Sequence, residues 1–207
     1  MPQKLPYLPE TSSQTAGPYV HIGLAPGAAG FAIYRQELGF DIAGPDAPGE
    51  RITVEGMVYD GLGAPVRDVM LEVWQADAAG IYAHPEDPRN VGAPAPAGFR
   101  GWGRVITDFD TGLWSFGTVR PGPVPGRSGR VQAPHLNLWI VARGINIGLN
   151  TRMYFPEDAA LHAADPVLSL VEQVERRATL LASRSAPGRY RFDIRLQGDG
   201  ETVFFDI

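Results

Sequence analysis

With 207 residues, 44% of them hydrophobic, the chain is long for one compact domain and short for two, and it carries enough apolar mass for a substantial core. Its formal charge of -5 argues against a nucleic-acid or anionic-membrane surface, which would need clustered Lys and Arg, so the expected partners are proteins or small molecules. The absence of cysteine excludes disulfides and thiolate chemistry; with no apolar leader after Met1 and no run of roughly 18 apolar residues, a cytoplasmic protein is expected.

Residues 1–18 read as an extended arm, because Pro2, Pro6, Pro9 and Pro18 forbid a continuous helix and the polar stretch Glu10 to Gln14 cannot form a core. Residues 19–207 read as a single β-sandwich domain. At the junction, Thr15-Ala16-Gly17-Pro18 offers a hydroxyl, a bare backbone and a rigid kink, either for close approach to a ligand or chain or as a turn feeding a strand over Tyr19 to Ile22. Gly23 to Asp46 reads as loop, with a short helix near Tyr34 to Leu38.

From Ile52 to Tyr59 the residues alternate, Asp60-Gly61-Leu62-Gly63 is a turn, and Val69 to Gln75 is a nearly continuous apolar strand, so a hairpin or sandwich pair is expected. Asp77 to Gly101 is a long Pro- and Gly-rich excursion carrying Tyr82 and His84, of a length that marks functional loops. Strands follow at Gly103 to Asp108 and Leu113 to Val119, whereas the prolines of Pro121 to Gly126 keep that segment out of a sheet interior. Pro134 to Arg143 is a strand, Met153 to Phe155 ends another, and Pro166 to Ser183 has helical spacing, with Leu168, Val171, Val174, Leu180 and Leu181 as its buried stripe. Tyr190 to Leu196 and Glu201 to Phe205 read as two closing strands around Asp199-Gly200. Many short strands, one late helix and no βαβ alternation define a mainly β protein, an antiparallel β-sandwich with long loops.

Candidate chemistry centres on the Pro134 to Arg143 strand. His135 and Asn137 share one of its faces, where a His-x-His pair would present two imidazoles to one ion; neutral Asn is a far weaker ligand for a transition metal. His135 alone reads equally as a satisfied core residue. The chain has no His-Glu-x-x-His, nucleophile elbow or phosphate loop among its motifs.

The segments Leu71-Glu72-Val73-Trp74-Gln75-Ala76-Asp77-Ala78-Ala79-Gly80-Ile81-Tyr82, Thr107-Asp108-Phe109-Asp110-Thr111-Gly112, Thr118-Val119-Arg120-Pro121-Gly122-Pro123 and Ala133-Pro134-His135 resemble, in order, those of the intradiol ring-cleaving dioxygenases. The resemblance runs from about Leu5 to the C-terminus. It implies a β-sandwich and a family that binds ferric iron through two tyrosines and two histidines, hard iron suiting phenolate oxygen. Tyr82 and His135 match one ligand of each type, while Val124 and Asn137 stand at the other two positions. The resemblance therefore implies a non-iron-binding subunit whose Fe(III) is carried by a homologous beta chain in a large hetero-oligomer. Such a subunit contributes Thr15, Gly17, Pro18 and Arg143 to the pocket where a small aromatic substrate, protocatechuate, meets O2. A self-sufficient homo-oligomeric dioxygenase with atypical ligands and a non-catalytic β-sandwich scaffold are the competing readings.

Overall fold

The computed structural model describes residues 15–17, 19–35, 39, 41–90, 98–126 and 129–206. The arm before Thr15, Pro18 and most of the short helix expected near Leu38 lie outside the described residues. In chain order the elements are α1 (Val20–Leu24), β1 (Arg51–Tyr59), β2 (Met70–Trp74), β3 (Trp102–Ile106), β4 (Leu113–Val119), β5 (Val124–Pro125), β6 (Val131–Gln132), β7 (His135–Val141), β8 (Leu149–Tyr154), α2 (Ala159–His162), β9 (Ser183–Ala186), β10 (Arg189–Arg191) and β11 (Ile194–Arg195). No helix among the described residues is long and apolar enough to cross a membrane.

Two sheets form the sandwich. In the first, β1 pairs antiparallel with β4 on one side and parallel with β10 and then β11 on the other, with β9 beyond β10. The second is antiparallel throughout, in the order β3-β2-β7-β8. Strand periodicity supplies the core: Ile52, Val54 and Val58 of β1 face Leu71 and Val73 of β2 and Leu136, Leu138 and Ile140 of β7, with Trp114, Met153, Tyr190 and Phe192 filling between them. Each such aliphatic side chain stabilises the fold by roughly 1.5–3 kcal/mol on burial. Gly56 takes an inward position of β1, where a Cβ would strike the Phe192 carbonyl and the Trp114 ring; its lack of a side chain lets both pack against the strand.

The expected sandwich pairing of β1 with β2 is the one found, since the turn at Asp60 passes the chain from one sheet to the other. The Asp60 carboxylate holds that turn by accepting the N–H groups of Leu62 and Ala64, both at 2.9 Å. Several expected elements differ. Tyr19 to Ile22 is not a strand: α1 satisfies its own backbone, with Gly23 N–H donating to Tyr19 O and Ala25 N–H to His21 O. The single strand expected over Tyr190 to Leu196 is broken at Phe192 and Asp193, because the Asp193 carboxylate, not a backbone carbonyl, accepts the Met57 N–H at 3.0 Å. Glu201 to Phe205 makes one bridge, to Asn150, and is otherwise tied by single bonds, the Thr202 N–H donating to Arg195 O at 3.0 Å and the Thr151 hydroxyl to Val203 O at 2.7 Å.

The helical spacing after Pro166 is realised as two 3-10 segments, Leu168–Leu170 and Val174–Leu180, separated by extended backbone at Val171 and Gln173. That interruption turns the apolar residues to different surroundings. Leu168 and Leu180 are buried, whereas Val174 is 62% exposed.

Gly56→Ala should lower stability by about 1–3 kcal/mol or more through overpacking against fixed backbone. Gly117→Ala, on β4 with open space around its Cβ position, should stay within about 0.5 kcal/mol of the parent. Chemical denaturation midpoints of the two variants check the contrast; equal losses would refute it.

Candidate functional site

Tyr82 is delivered by a turn with a specific construction. The Asp77 carboxylate accepts the N–H groups of Ala79 and Ile81 at 2.9 Å, Gly80 sits at φ +79, and a Cβ at Gly80 would strike the Pro123 carbonyl. Beyond the turn, Tyr82 N–H donates to Asp87 Oδ2 at 3.0 Å and Tyr82 O accepts from the Asn90 amide at 2.9 Å, so both sides of its backbone are held. The Arg89 guanidinium bonded to Asp87 keeps that carboxyl at about 2, below the usual carboxylate range. The Tyr82 ring then stacks on Trp74, with centroids 5.5 Å apart and planes 5° from parallel.

His135 opens β7, fully buried, with Nδ1 donating to Ala133 O at 2.7 Å. A carbonyl accepts only, so that bond assigns the tautomer and leaves Nε2 as an acceptor 3.5 Å from the Tyr82 hydroxyl. Burial, and next the nearby Arg152 charge, push its pKa down to about 4. Two residues on, the Asn137 amide donates to Trp74 O at 3.1 Å and to the Tyr82 hydroxyl at 3.4 Å. Burial also raises the Tyr82 pKa, so the side chain is a phenol at neutral pH. Val124 of β5 is buried and lines, with Tyr82, Trp74 and Gln132, a cleft of about 770 Å3.

The structure thus brings Tyr82, His135 and Asn137 into contact and sets Val124 against Tyr82. These groups do not fit ferric iron: Val124 carries no donor atom, Asn137 offers only a neutral amide oxygen, and burial keeps Tyr82 a protonated phenol with the Arg152 cation close by. Among the described residues no cluster of three His or carboxylate groups could hold a metal. Of the other histidines, His84 meets Trp74 edge-on, His21 packs on Phe109 and His162 packs on Tyr154.

A second group forms at the far end of β7. The Thr15 hydroxyl oxygen accepts Gly144 N–H at 2.6 Å and Ala16 N–H donates to Ile145 O at 3.4 Å, so the start of the described chain is pinned to the loop that carries Arg143. Gly17 has φ +70 and open space about its Cβ position; its glycine is required by conformation, not by crowding within this chain. Arg143 is not a lone cation. It pairs with Asp68 at 2.8 Å, is exposed, and lines a cleft of about 560 Å3 with His21, Asp60 and Phe109.

Sequence reasoning missed Arg152 and the tryptophans beside it. In β8, Arg152 lies directly opposite Asn137, and the same row runs on through Trp74 and Trp102. The alternation of Asn150, Arg152 and Tyr154 puts these residues on one strand face, yet only the register reveals which face and which neighbours.

Comparison with known proteins gives a consistent picture. A family model described as Dioxygenase matches residues 31–198. The chain is 54% identical over 203 residues to the protocatechuate 3,4-dioxygenase alpha chain of Pseudomonas putida, covering 97% of this chain and 98% of that one. It is 38% identical over 162 residues to the protocatechuate 3,4-dioxygenase beta chain of Burkholderia cepacia, covering 74% and 67%. Among solved structures, the dioxygenase domain of a carbohydrate-binding fusion protein from Streptomyces sp. SirexAA-E superposes with a TM-score of 0.53 and 27% identity, covering 77% of this chain and 87% of that one.

The depressed pKa of His135 has a consequence for stability. In the unfolded chain the imidazole gains its proton near the ordinary 6.5, whereas the folded one resists to about 4, so the unfolded state binds more protons between these values. Stability should fall as pH drops from about 6.5 to about 4, by at most about 1.4 kcal/mol per pH unit from this residue. His162, lowered in the same direction, adds to the slope; the Asp87 contribution is lost only at lower pH. His135→Asn, which retains an N–H for Ala133 O without titrating, should flatten the dependence of the urea midpoint on pH across that window. An unchanged slope would refute the assignment.

Proposed function

The chain belongs to the intradiol dioxygenase family, and on that premise we propose that it works as the alpha subunit of a protocatechuate 3,4-dioxygenase. This oxidoreductase cleaves protocatechuate with O2 to 3-carboxy-cis,cis-muconate. In the proposed assembly a homologous beta chain carries the ferric iron, and this chain completes the substrate pocket beside it in the cytoplasm. Residues 1–18 act as an arm lying across the partner, and residues 19–207 form one domain.

The observation that carries this reading is a separation. His135 opens β7 and Arg143 lies in the turn two residues past its other end, so the strand alone puts roughly 20 Å between the two groups. A catechol touched by Thr15, Gly17, Pro18 and Arg143 cannot also sit at this chain's own Tyr82 and His135. Its iron would then belong to another chain, and the donor set at Tyr82 supports the same assignment, because it lacks the donors to hold iron tightly.

Iron and its ligands would hold the catecholate end of the substrate, leaving the carboxylate end to this chain. Arg143 suits that task, since a guanidinium has five N–H donors, more than the Asp68 carboxylate paired with it at 2.8 Å can take up. Thr15 keeps its O–H to donate, because its oxygen is the atom that accepts from Gly144. Gly17 holds the left-handed turn that presents both.

Copurification from the native host with metal analysis of the separated chains tests the reading. This chain should be colourless and free of stoichiometric iron, with the iron on a homologous partner; about one iron per chain here, with a tyrosinate charge-transfer band, would overturn it. In the assembled enzyme Arg143→Ala should weaken protocatechuate binding about tenfold, or ~1.4 kcal/mol, a modest figure because the side chain is 62% exposed. Iron content should not change, and turnover of catechol, which lacks the carboxylate, should be little affected. Gly17→Val, forced into φ +70, should instead raise KM for both substrates. Equal damage to catechol by Arg143→Ala would make the arginine structural.

A further inference from the structure

A cleft of about 700 Å3 lies on the outer face of the second sheet, at the Asn137 end of β7; it shares Tyr82 and Asn137 with the group that does not fit iron, and the proposed function gives it no ligand. Its size falls within the range of about 300–1,000 Å3 common for small-molecule sites. Trp74, Trp102, Trp139 and Tyr82 supply aromatic walls, and Leu170 and Phe205 stand at its edge. Arg152 lines it half-buried. Its Nη1 donates to Gln132 Oε1 at 2.6 Å and to the Tyr154 hydroxyl at 3.4 Å, both neutral acceptors, and among the described residues no carboxylate lies within ion-pair distance of it.

The cleft also contains two acids, and neither neutralises that cation. Glu72 is bonded to Arg104 at 2.7 Å, and Asp206 is exposed at the rim. The charge of Arg152 is felt instead by Tyr82 and His135, whose pKa values it lowers. A half-buried guanidinium with unused Nε and Nη2 donors beside flat apolar walls is complementary to one chemistry, a planar ring that carries an anionic fork.

We propose that this cleft is a second ligand site, separate from the group at Arg143, and that it binds an aromatic carboxylate of the benzoate class. The carboxylate accepts from the Nε and Nη2 groups of Arg152, and the ring lies against the tryptophan walls. The site does not depend on the reading given above: a chain that proved to have no iron-bearing partner would still bind one benzoate.

Calorimetry on the native assembly, with benzoate as the probe, tests this by counting sites per copy of this chain. The parent should bind one benzoate per chain beyond any bound at iron, and tryptophan fluorescence should report it. Arg152→Gln should weaken that site at least tenfold, leaving the iron-linked colour change on benzoate addition unaltered, and Arg152→Lys should retain part of the affinity. Leu170→Trp, at an exposed position on the cleft edge, should block the site without touching the core, which keeps the test decisive if Arg152→Gln fails to fold. Benzyl alcohol should bind at least tenfold more weakly than benzoate. The proposal is overturned if no benzoate binds beyond iron, if Arg152→Gln binds as the parent does, or if benzyltrimethylammonium binds in preference to benzoate.

Discussion

The two-residue period of β7 governs most of what this molecule can do. Leu136, Leu138 and Ile140 are drawn into the core between the sheets, and a strand cannot bury one parity without presenting the other. His135, Asn137 and Trp139 are therefore committed to the opposite face. Registration with β2, β3 and β8 extends each position into a row: Trp102, Trp74, Asn137 and Arg152 in one, and Arg104, Glu72, Trp139 and Asn150 in the next. A slip of one residue in β7 would exchange the core for the site.

Polar side chains gathered on a largely buried face are costly unless their atoms find partners. Here they do so locally. His135 Nδ1 is bonded to Ala133, the Asn137 amide to Trp74 and Tyr82, and Gln132 to Arg152. Asp77, Gly80 and Asp87 still deliver Tyr82 with its backbone held on both sides. These contacts stabilise the loop and fix the Tyr82 ring without any ligand.

The period-2 runs and turn residues made the sandwich legible, and the ordered motifs from Glu72 to His135 made the family legible. Legibility failed where structure depends on partners distant in sequence. Asp193 replacing a backbone acceptor for Met57 splits a run that reads as one strand, and extended backbone at Val171 and Gln173 splits a stripe that reads as one helix. At the site, Tyr82 and His135 were readable by their motifs. Arg152 was not, because its meaning comes from lying opposite Asn137, and register across strands is absent from local pattern. Arg143 was singled out as a residue, but its pairing with Asp68 is a tertiary fact.

Arg152 also sets the charge at this end of β7. A guanidinium supplies positive charge that is permanent and needs no loading, since arginine stays protonated throughout the accessible pH range. Burial raises the pKa of Tyr82 and lowers that of His135, whereas the Arg152 charge lowers both. Its influence is confined to one end of β7. At the other end, Arg143 lies six residues along from Asn137, the position opposite Arg152, at most roughly 20 Å at strand rise and about two Debye lengths of 8–10 Å, so the charge of Arg152 is largely screened there. The two ends can therefore take up different tasks, with one core strand fixing both.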